Sequence, residues 1–541
     1  MTAGEVLLLA TLTVPVVLLL AGLSGRASYW IPKLLAAAPV PGLAAALLAP
    51  TGTMLVLPEP PFRMILVIDR PGAMLLGTAA LLWIIAGAYA SAHLRGDPNA
   101  RRFAEWWLLT LTGSLGVFIA ADLVSFYLTY SMVSLAAWGL IVHDRTTASR
   151  AGMVYLALAV LGEAFLLMAF VYLAAATTNG SLLIRDAVAA LPTSPWRSAA
   201  LTLLVLGFGL KIALVPGHVW MPLAYTAAPA PAAAALSGAA VKAGIIGFIR
   251  FLPLGAPLPQ WGEALAALGL LSAFYGVLVG ITQKDPKTVL AYSSISQMGL
   301  LAAALGMGLA TGDAAVGLVI SFAAASHVLA KGGLFLALGV AEIAGAAIWL
   351  VLAPAAVLAL GLGGLPFTGG ALAKLALKVP LGAGVVGALA TISSIGSTLL
   401  MLHFLHRLVQ SAPAASGRKA ISFSSPWLIC AVAAVTVPWA LFPVAGSGTL
   451  LQALAPDALW SALWPVLIGG VMALLLWRWE DRLPRIPPGD IVVAGEPAVR
   501  AALRWEKRIE EADAYLRRWP VASLLLMSLV VILAAVMMTG R

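Results

Sequence analysis

The chain has 541 residues, of which 62% are hydrophobic and only 10% are charged, and its formal net charge is +10. This composition excludes an ordinary water-soluble domain, because the apolar surface would exceed any interior available to cover it. The single cysteine, Cys430, excludes an intrachain disulfide and a cysteine metal cluster, and nothing in the charge pattern indicates nucleic-acid binding.

Long apolar runs predict an all-α polytopic membrane protein. A membrane-spanning helix needs about 20 apolar residues, and on that measure the chain holds about 14–16 spans. The first run lacks a basic start and a small-residue cleavage site, so it is interpreted as a retained span. The predicted spans lie near residues 4–24, 34–50, 74–93, 106–121, 123–143, 151–175, 199–222, 229–252, 262–281, 290–310, 316–340, 347–364, 381–406, 425–445, 459–478 and 521–538, with a half-span at 366–379.

Charges in the short loops predict the orientation of the chain. Cytoplasmic loops of membrane proteins carry an excess of lysine and arginine. The excess falls on one side here, which predicts a multi-pass protein of the bacterial inner (plasma) membrane with a periplasmic N terminus. The predicted cytoplasmic residues are Arg26, Lys33, Arg95, Arg101, Arg102, Arg145, Arg150, Lys284, Lys287, Arg407, Arg418 and Lys419.

Two regions share one pattern, in which a basic loop is followed by an internal lysine and then by a helix broken by Gly and Pro. Interrupted helices at corresponding positions of two halves indicate ion sites and inverted repeats. The predicted parts of the chain are N-terminal transmembrane helices at 1–105, a first five-helix repeat at 106–252, a second at 262–406, further transmembrane helices at 407–478, and a last segment at 479–541.

Four lysines and one acid stand out inside the apolar runs. They are Lys211, Lys242, Lys331, Lys374 and the acid Glu163. An ionisable group at membrane depth costs roughly 2.5–3.5 kcal/mol on insertion scales, so such a residue is expected to be functional. A row of them predicts a path along which charge moves. Alternatively, each lysine could have a structural role, either extending to the membrane surface or bonding to a backbone carbonyl. Glu163 could have a static role in helix packing.

Histidines near these residues are predicted to act as neutral proton relays. His218 follows the break at Pro216, where it could also cap the chain, and His327 precedes Lys331 by one helical turn, so both face one side of a helix. His403 and His406 have the spacing of a metal pair but no third ligand, so an interfacial position is expected. Asp122 is expected to cap the helix that follows it.

Two lysines are candidates for the last position of the row. Lys374 follows the break in LPFTGGALAK, and Lys378 lies one turn later and nearer the end of the span. Lys374 is the preferred choice.

The C-terminal segment differs from the rest of the chain. Residues 497–519 are predicted to form an amphipathic cytoplasmic helix that clamps a neighbouring subunit, and residues 521–538 a last membrane anchor.

Four segments carry a resemblance to a known family: GFGLKIALVPGHVWMPLAYTAAPAPAAAALSGAAVKAGIIGFIR, QKDPKTVLAYSSISQMG, SHVLAKGGLF and LPFTGGALAK. In these residues the chain resembles the antiporter-like subunits shared by respiratory complex I, membrane-bound hydrogenases related to formate hydrogenlyase, and Mrp cation/proton antiporters. The resemblance covers roughly residues 70–410. It implies inverted five-helix repeats with broken helices and a proton- or cation-translocating subunit of a multisubunit energy-converting complex.

The resemblance also implies roles for individual residues. Lys211 would be the lysine of the first broken helix, Lys242 the central lysine, His327 and Lys331 the connecting pair, and Lys374 the terminal residue that faces the exit.

One position departs from the family. The family carries a Trp-Glu pair in its fifth helix, where this chain has Tyr130 and Ser131. Glu163, one span later, is expected to replace the missing acid as the partner of Lys211.

The implied partners are other membrane subunits, the lipid bilayer and protons or Na⁺. No cofactor motif and no redox or hydrolytic site is recognised in the sequence. The complex, the choice between H⁺ and Na⁺ and the coupled reaction stay open. Two alternative functions also stay open: a non-pumping assembly scaffold, and the membrane subunit of a two-component inorganic-carbon uptake system.

Overall fold

The computed structural model describes residues 1–22, 24, 29–57, 63–144, 148–177, 180–344, 348–411, 421–446, 448–479, 482–484, 486–489 and 493. Contacts divide the chain into two units, Met1–Pro488 and Gly489–Arg541. The helices, the strands and the candidate site all lie in the first unit. The predicted amphipathic helix at 497–519 and the last predicted span at 521–538 lie outside the described residues.

Helices dominate the first unit. Up to residue 251 they are α1 (Ala3–Gly22), α2 (Val40–Leu48), α3 (Arg70–His93), α4 (Ala100–Gly116), α5 (Leu123–Ile141), α6 (Ser149–Ala176), α7 (Ile184–Ala190), α8 (Arg197–Lys211), α9 (Trp220–Ala227), α10 (Ala230–Ala235) and α11 (Lys242–Phe251). The remainder are α12 (Pro259–Gly280), α13 (Pro286–Thr311), α14 (Val316–Ala344), α15 (Ile348–Gly363), α16 (Gly369–Leu381), α17 (Val385–Ser411), α18 (Ile421–Leu441), α19 (Leu450–Ala453) and α20 (Pro456–Arg478).

The all-α polytopic fold class is confirmed. Within the described residues, ten helices are long and apolar enough to cross a membrane. Several predicted spans are shorter or broken in the structure: the run near 34–50 contains the nine-residue α2, and the run near 199–222 is interrupted after Lys211. The predicted division into repeats at 106–252 and 262–406 stays a prediction.

The longest central helices are buried along almost their whole length. In α13 and α14, 94% of the apolar window lies inside the protein, against 22% in α1 and in α20. An inner helix loses its contact with lipid, so polar groups on it must find partners inside the protein. Lys242, His327 and Lys331, which belong to helical segments of this kind, therefore lie in the protein interior.

A short hairpin adds a feature that the apolar pattern did not predict. Strands β1 (Met54–Leu57) and β2 (Met64–Val67) pair antiparallel, with Met54 opposite Val67. The N–H of Ile65 donates to the Asp122 carboxylate at 2.8 Å. Asp122 also accepts from the N–H groups of Val124 and Ser125, which confirms the predicted cap of α5.

Candidate functional site

The first broken helix ends at Lys211 because the next residues cannot continue it. Pro216 has no N–H to donate, and Ala213 adopts a positive φ of 60°. The groups freed by the break are bonded by side chains: the N–H of Val215 donates to Ser272 Oγ at 3.0 Å, and Trp220 Nε1 donates to the Leu210 carbonyl at 2.8 Å. These hydrogen bonds stabilise the break in the helix. It leaves Lys211 at a helix C terminus, where the helix dipole favours a cation.

The Lys211 ammonium group is buried against α5. Its Nζ donates to Ser134 Oγ at 2.8 Å and lies 5.5 Å from the centre of the Tyr130 ring. Tyr155, from α6, donates its hydroxyl to the Ser134 carbonyl at 2.6 Å. Three helices therefore position this lysine, and its bonded partner is a neutral hydroxyl.

Glu163 lies close to Lys211 without forming a direct ion pair. Helices α6 and α8 approach each other at glycines: a Cβ on Gly207 would lie 3.0 Å from the Gly162 carbonyl oxygen and 2.6 Å from Leu166. The buried Glu163 carboxyl group interacts electrostatically with Lys211 and lies beside Ser131. Its Oε1 has no hydrogen-bond partner within the described part of the chain.

A small cavity adjoins Lys211. It has a volume of about 20 Å³ and is lined by Ser134, Gly162 and Lys211, among others. About 10–15 Å³ is enough to hold one water molecule. The cavity beside Lys211 is therefore large enough for one water molecule, in addition to the Ser134 hydroxyl that Lys211 already contacts.

Lys242 and His327 meet at the centre of the protein. Lys242 Nζ lies 2.8 Å from His327 Nδ1 and donates to the Ser237 carbonyl at 3.1 Å. Ser237 belongs to a π-helical turn, Leu236–Ala240, a local form that is common at functional sites. Gly238 lets this turn approach α14, because a Cβ there would lie 2.9 Å from the Val328 carbonyl oxygen.

The two nitrogens of His327 have different surroundings. When Lys242 donates, Nδ1 is the acceptor and Nε2 carries the proton. Nε2 has no hydrogen-bond partner among the residues that the structure describes. His327 also lines a cavity of about 40 Å³, here called the central cavity, whose wall includes Gln297 and Lys374. The His327 ring thus connects Lys242 with the central cavity, whose wall includes Lys374.

Lys331 lies one turn after His327 on α14 but bonds to a different helix. Its Nζ donates to the Leu290 carbonyl of α13 at 2.8 Å, and the side chain is completely buried. The charges of Lys242 and Lys331 interact, as do those of His327 with both lysines. Since like charges repel strongly away from water, protonation of one group opposes protonation of the others.

Lys374 lies after the second break, where Gly364 and Phe367 both have positive φ, 108° and 66°. Thr368 caps α16, and Lys374 Nζ donates to the Gly363 carbonyl left free by the end of α15. Lys374 lines the central cavity and also a cavity of about 530 Å³, here called the outer cavity. Lys378 lines the outer cavity alone and donates to Ser461 Oγ at 2.8 Å.

His218 is buried in a three-residue 3₁₀ turn, Gly217–Val219. Its ring packs edge-on against Tyr275, with ring centres 4.8 Å apart, and 6.4 Å from Tyr292. Its predicted relay role stays a prediction.

His403 and His406 do not form a metal pair. His403 Nε2 lies 2.8 Å from the Gln283 carbonyl oxygen, whereas the His406 ring stacks on Trp477 at 5.0 Å. Within the described ranges, no three His, Cys, Asp or Glu side chains are grouped to hold a metal ion.

Sequence reasoning missed the neutral residues of the site. Ser134, Ser237 and Gln297 each contact or line the row of ionisable groups, and Gln297 Nε2 also donates to Ser397 Oγ at 3.0 Å. Only Ser134 had a signal in the sequence, because it lies three residues after Ser131 and so faces the same side of α5.

Comparisons with known proteins agree with this architecture. The family model described as NADH:quinone oxidoreductase/Mrp antiporter, TM, matches residues 120–400. Hydrogenase-4 component B of Escherichia coli is 31% identical over 300 residues, which cover 52% of this chain and 44% of that protein. NADH-quinone oxidoreductase subunit N of Desulforudis audaxviator is 32% identical over 289 residues, 52% of this chain and 56% of that protein.

One solved structure matches over the full length of the chain. It is the Mrp complex from Dietzia sp., with a TM-score of 0.82 and 21% identity, and the match covers 100% of this chain and 63% of that chain. At this identity the likeness concerns the fold. The chain spans about half the length of the curated relatives it matches.

Proposed function

Because the chain belongs to the NADH:quinone oxidoreductase/Mrp antiporter transmembrane family, we propose that it is a proton-translocating, antiporter-like subunit of a multisubunit membrane complex. Protons would move along the buried row Glu163, Lys211, His218, Lys242, His327, Lys331 and Lys374. The curated relatives are named as subunits or components of larger enzymes, which supports other membrane subunits as partners. Their bacterial origin supports the inner membrane as its location.

The contact between Lys242 and His327 carries this proposal. A lysine that only stabilised the fold could be satisfied by carbonyl oxygens alone. Lys242 instead bonds to an imidazole, which can accept a proton at one nitrogen and donate one from the other. A proton that passes from Lys242 Nζ to His327 Nδ1 leaves the ring free to release its other proton from Nε2, toward the central cavity.

The cavities supply the continuation of the path. Lys374 lines both the central and the outer cavity, so it is the residue through which a proton leaving His327 would reach the outer cavity. The outer cavity contains the polar side chains of Thr391, Ser394 and Ser461. These hydroxyls can hold water, which proton release requires.

The first half of the path depends on Glu163. A mobile proton requires that Lys211 alternate between charged and neutral forms, and a nearby carboxylate that changes its own charge provides this control. The electrostatic interaction between Glu163 and Lys211 and the water-sized cavity beside Lys211 support this role. No direct ion pair locks the two groups together.

A non-pumping scaffold is the second candidate, favoured by the neutral pair Tyr130 and Ser131. Here Lys211 would keep one charge state, satisfied permanently by Ser134. The two functions differ in whether buried lysines affect ion flux.

Reconstitution decides between them. The complex containing Lys211→Ala or Lys331→Ala is purified, reconstituted into vesicles that contain a pH-sensitive dye, and compared with the unchanged complex. Both variants should assemble, because removal of a buried charge lowers an insertion cost, and both should lose most proton flux. Lys284→Ala, at an exposed loop lysine, is the matched control and should keep the flux. Unchanged flux in both buried variants would favour the scaffold.

A further inference from the structure

Two cavities that the ionisable row does not use lie side by side near the start of α13. One, here called the threonine cavity, has a volume of about 370 Å³ and is lined by residues that include Thr226, Asp285 and Ser411. The other, here called the histidine cavity, has a volume of about 290 Å³ and is lined by residues that include His93 and Asp144.

These cavities and the outer cavity lie at opposite ends of α17. The first turns of α17, at Gly387 and Ala388, line the outer cavity, and its last residue, Ser411, lines the threonine cavity. A helix rises about 1.5 Å per residue, so the length of α17, 27 residues, corresponds to roughly 40 Å. That exceeds the hydrocarbon thickness of about 30 Å. The positive charges of the loops predict the side of the threonine cavity to be cytoplasmic.

One ion pair forms part of the wall of both cavities. Lys287, in the first turn of α13, and Glu342, in the last turn of α14, line each of them, with 3.9 Å between Nζ and Oε1. The Glu342 side chain is 62% exposed and therefore accessible to water, whereas that of Lys287 is 20% exposed. A pair of this exposure contributes roughly 0–1 kcal/mol, so it can separate and re-form at little cost.

Hydroxyl groups connect this pair with the buried row. Thr226 Oγ1, which lines the threonine cavity, lies 2.9 Å from Thr288 Oγ1, and Thr288 is buried. Thr288 follows Lys287 directly in the chain. Two residues later, the Leu290 carbonyl accepts from Lys331 Nζ at 2.8 Å. One turn of α13 thus joins the exposed ion pair to a buried lysine of the row.

We propose that the two cavities form the cytoplasm-facing mouth of the proton path and that Glu342 is the carboxylate that collects protons there. Lys287 is a positioning residue that holds Glu342 at the wall between the cavities. A proton from water binds a Glu342 oxygen, the attraction to Lys287 ends, and the proton passes through water in the threonine cavity to the Thr226 and Thr288 hydroxyls, on the route toward Lys331. This inference rests on the proposed translocation function.

Cysteine labelling tests the mouth without changing Glu342, Lys287 or the two threonines. Ser411→Cys places a thiol in the threonine cavity, and Gln410→Cys places one on the adjacent exposed residue, which does not line it. Both variants are made in the complete complex, and the flux of each before labelling serves as its own reference. A bulky, membrane-impermeant thiol reagent on the cytoplasmic side should then stop flux in the Ser411 variant and leave it unchanged in the Gln410 variant.

Substitutions test the role of Glu342 itself. Glu342→Gln should lower the rate of proton uptake about tenfold, which corresponds to about 1.4 kcal/mol in the barrier, and Glu342→Asp should retain part of the rate. Lys287→Gln should reduce the rate less than Glu342→Gln does.

The outcomes separate this inference from the function on which it rests. If Lys331→Ala abolishes flux while labelled Ser411→Cys and Glu342→Gln keep it, the mouth lies elsewhere and translocation stands. If Lys331→Ala keeps full flux, the translocation proposal itself fails.

Discussion

Lys242 Nζ lies 2.8 Å from His327 Nδ1, although the two residues are 85 positions apart in the chain. The contact joins the start of α11 to the middle of α14, and both side chains are buried. Burial of an amine against an imidazole costs free energy, and groups placed in this way cluster at functional sites. This pair is therefore the place where the proposed path is most sensitive to substitution.

His327→Gln should reduce proton flux without preventing assembly. The amide can still contact Lys242, but it cannot take up a proton on one side and release one on the other. A positioned proton-transferring side chain contributes about 10²-fold or more, so the expected loss is of that order. Flux in dye-loaded vesicles measures it. His406→Gln, at a ring stacked on Trp477, should retain normal flux, and equal effects of the two substitutions would contradict the relay.

Glu163→Gln should lower flux because Lys211 loses the partner whose charge controls its own. A second substitution tests this explanation more directly. Ser131 lies beside the Glu163 carboxyl group, so Ser131→Glu in the Glu163→Gln background returns an acid to nearly the same place. Flux should recover in that double variant and stay low in the Ser131→Gln, Glu163→Gln control. Normal flux in Glu163→Gln alone would show that the carboxylate has only a packing role.

Lys374→Ala and Lys378→Ala should differ in their effects. Lys374 lines both the central and the outer cavity, whereas Lys378 is exposed and bonds to Ser461. Loss of Lys374 should interrupt flux. Loss of Lys378 removes one surface hydrogen bond, worth about 0.5–1.5 kcal/mol, and should leave flux largely intact. The measurement is flux per assembled complex, and a larger loss from Lys378→Ala would reverse the assignment of the terminal lysine.

Asp97, in the loop between α3 and α4, should add stability that acid removes. Partial burial by itself would raise the pKa of this carboxyl group, but the Asn99 N–H and the His143 ring, 2.7 Å away, outweigh burial and hold the pKa below its usual value. A carboxyl group with a lowered folded-state pKa stabilises the fold above its unfolded pKa, about 3.9, and this contribution disappears as the pH falls through the folded-state value.

Asp97→Asn should therefore lower the melting temperature at neutral pH, by an amount that corresponds to under about 1 kcal/mol for this partly exposed pair. Thermal unfolding in detergent, followed from pH 7 downward, measures the difference between the variant and the unchanged protein. The difference should shrink in acid below about pH 4. A difference that grows in acid would contradict the assignment.

The sequence by itself determined the polytopic all-α class and the row of ionisable residues, because both depend on local composition. A run of apolar residues must form a helix in a membrane, whatever its neighbours are, and a lysine inside such a run has no local partner. The cap at Asp122 was also predictable, since a cap involves residues that are adjacent in the chain.

Only the tertiary structure decided which residues the ionisable groups contact. The sequence placed His327 and Lys331 on one face of a helix, yet His327 bonds to Lys242 and Lys331 bonds to the Leu290 carbonyl. Ser134 and the Lys287–Glu342 pair likewise involve helices that are far apart in sequence. Such contacts depend on how each helix is rotated and how closely it packs, and these properties follow from small residues and breaks distributed over the whole bundle. No local pattern contains that information.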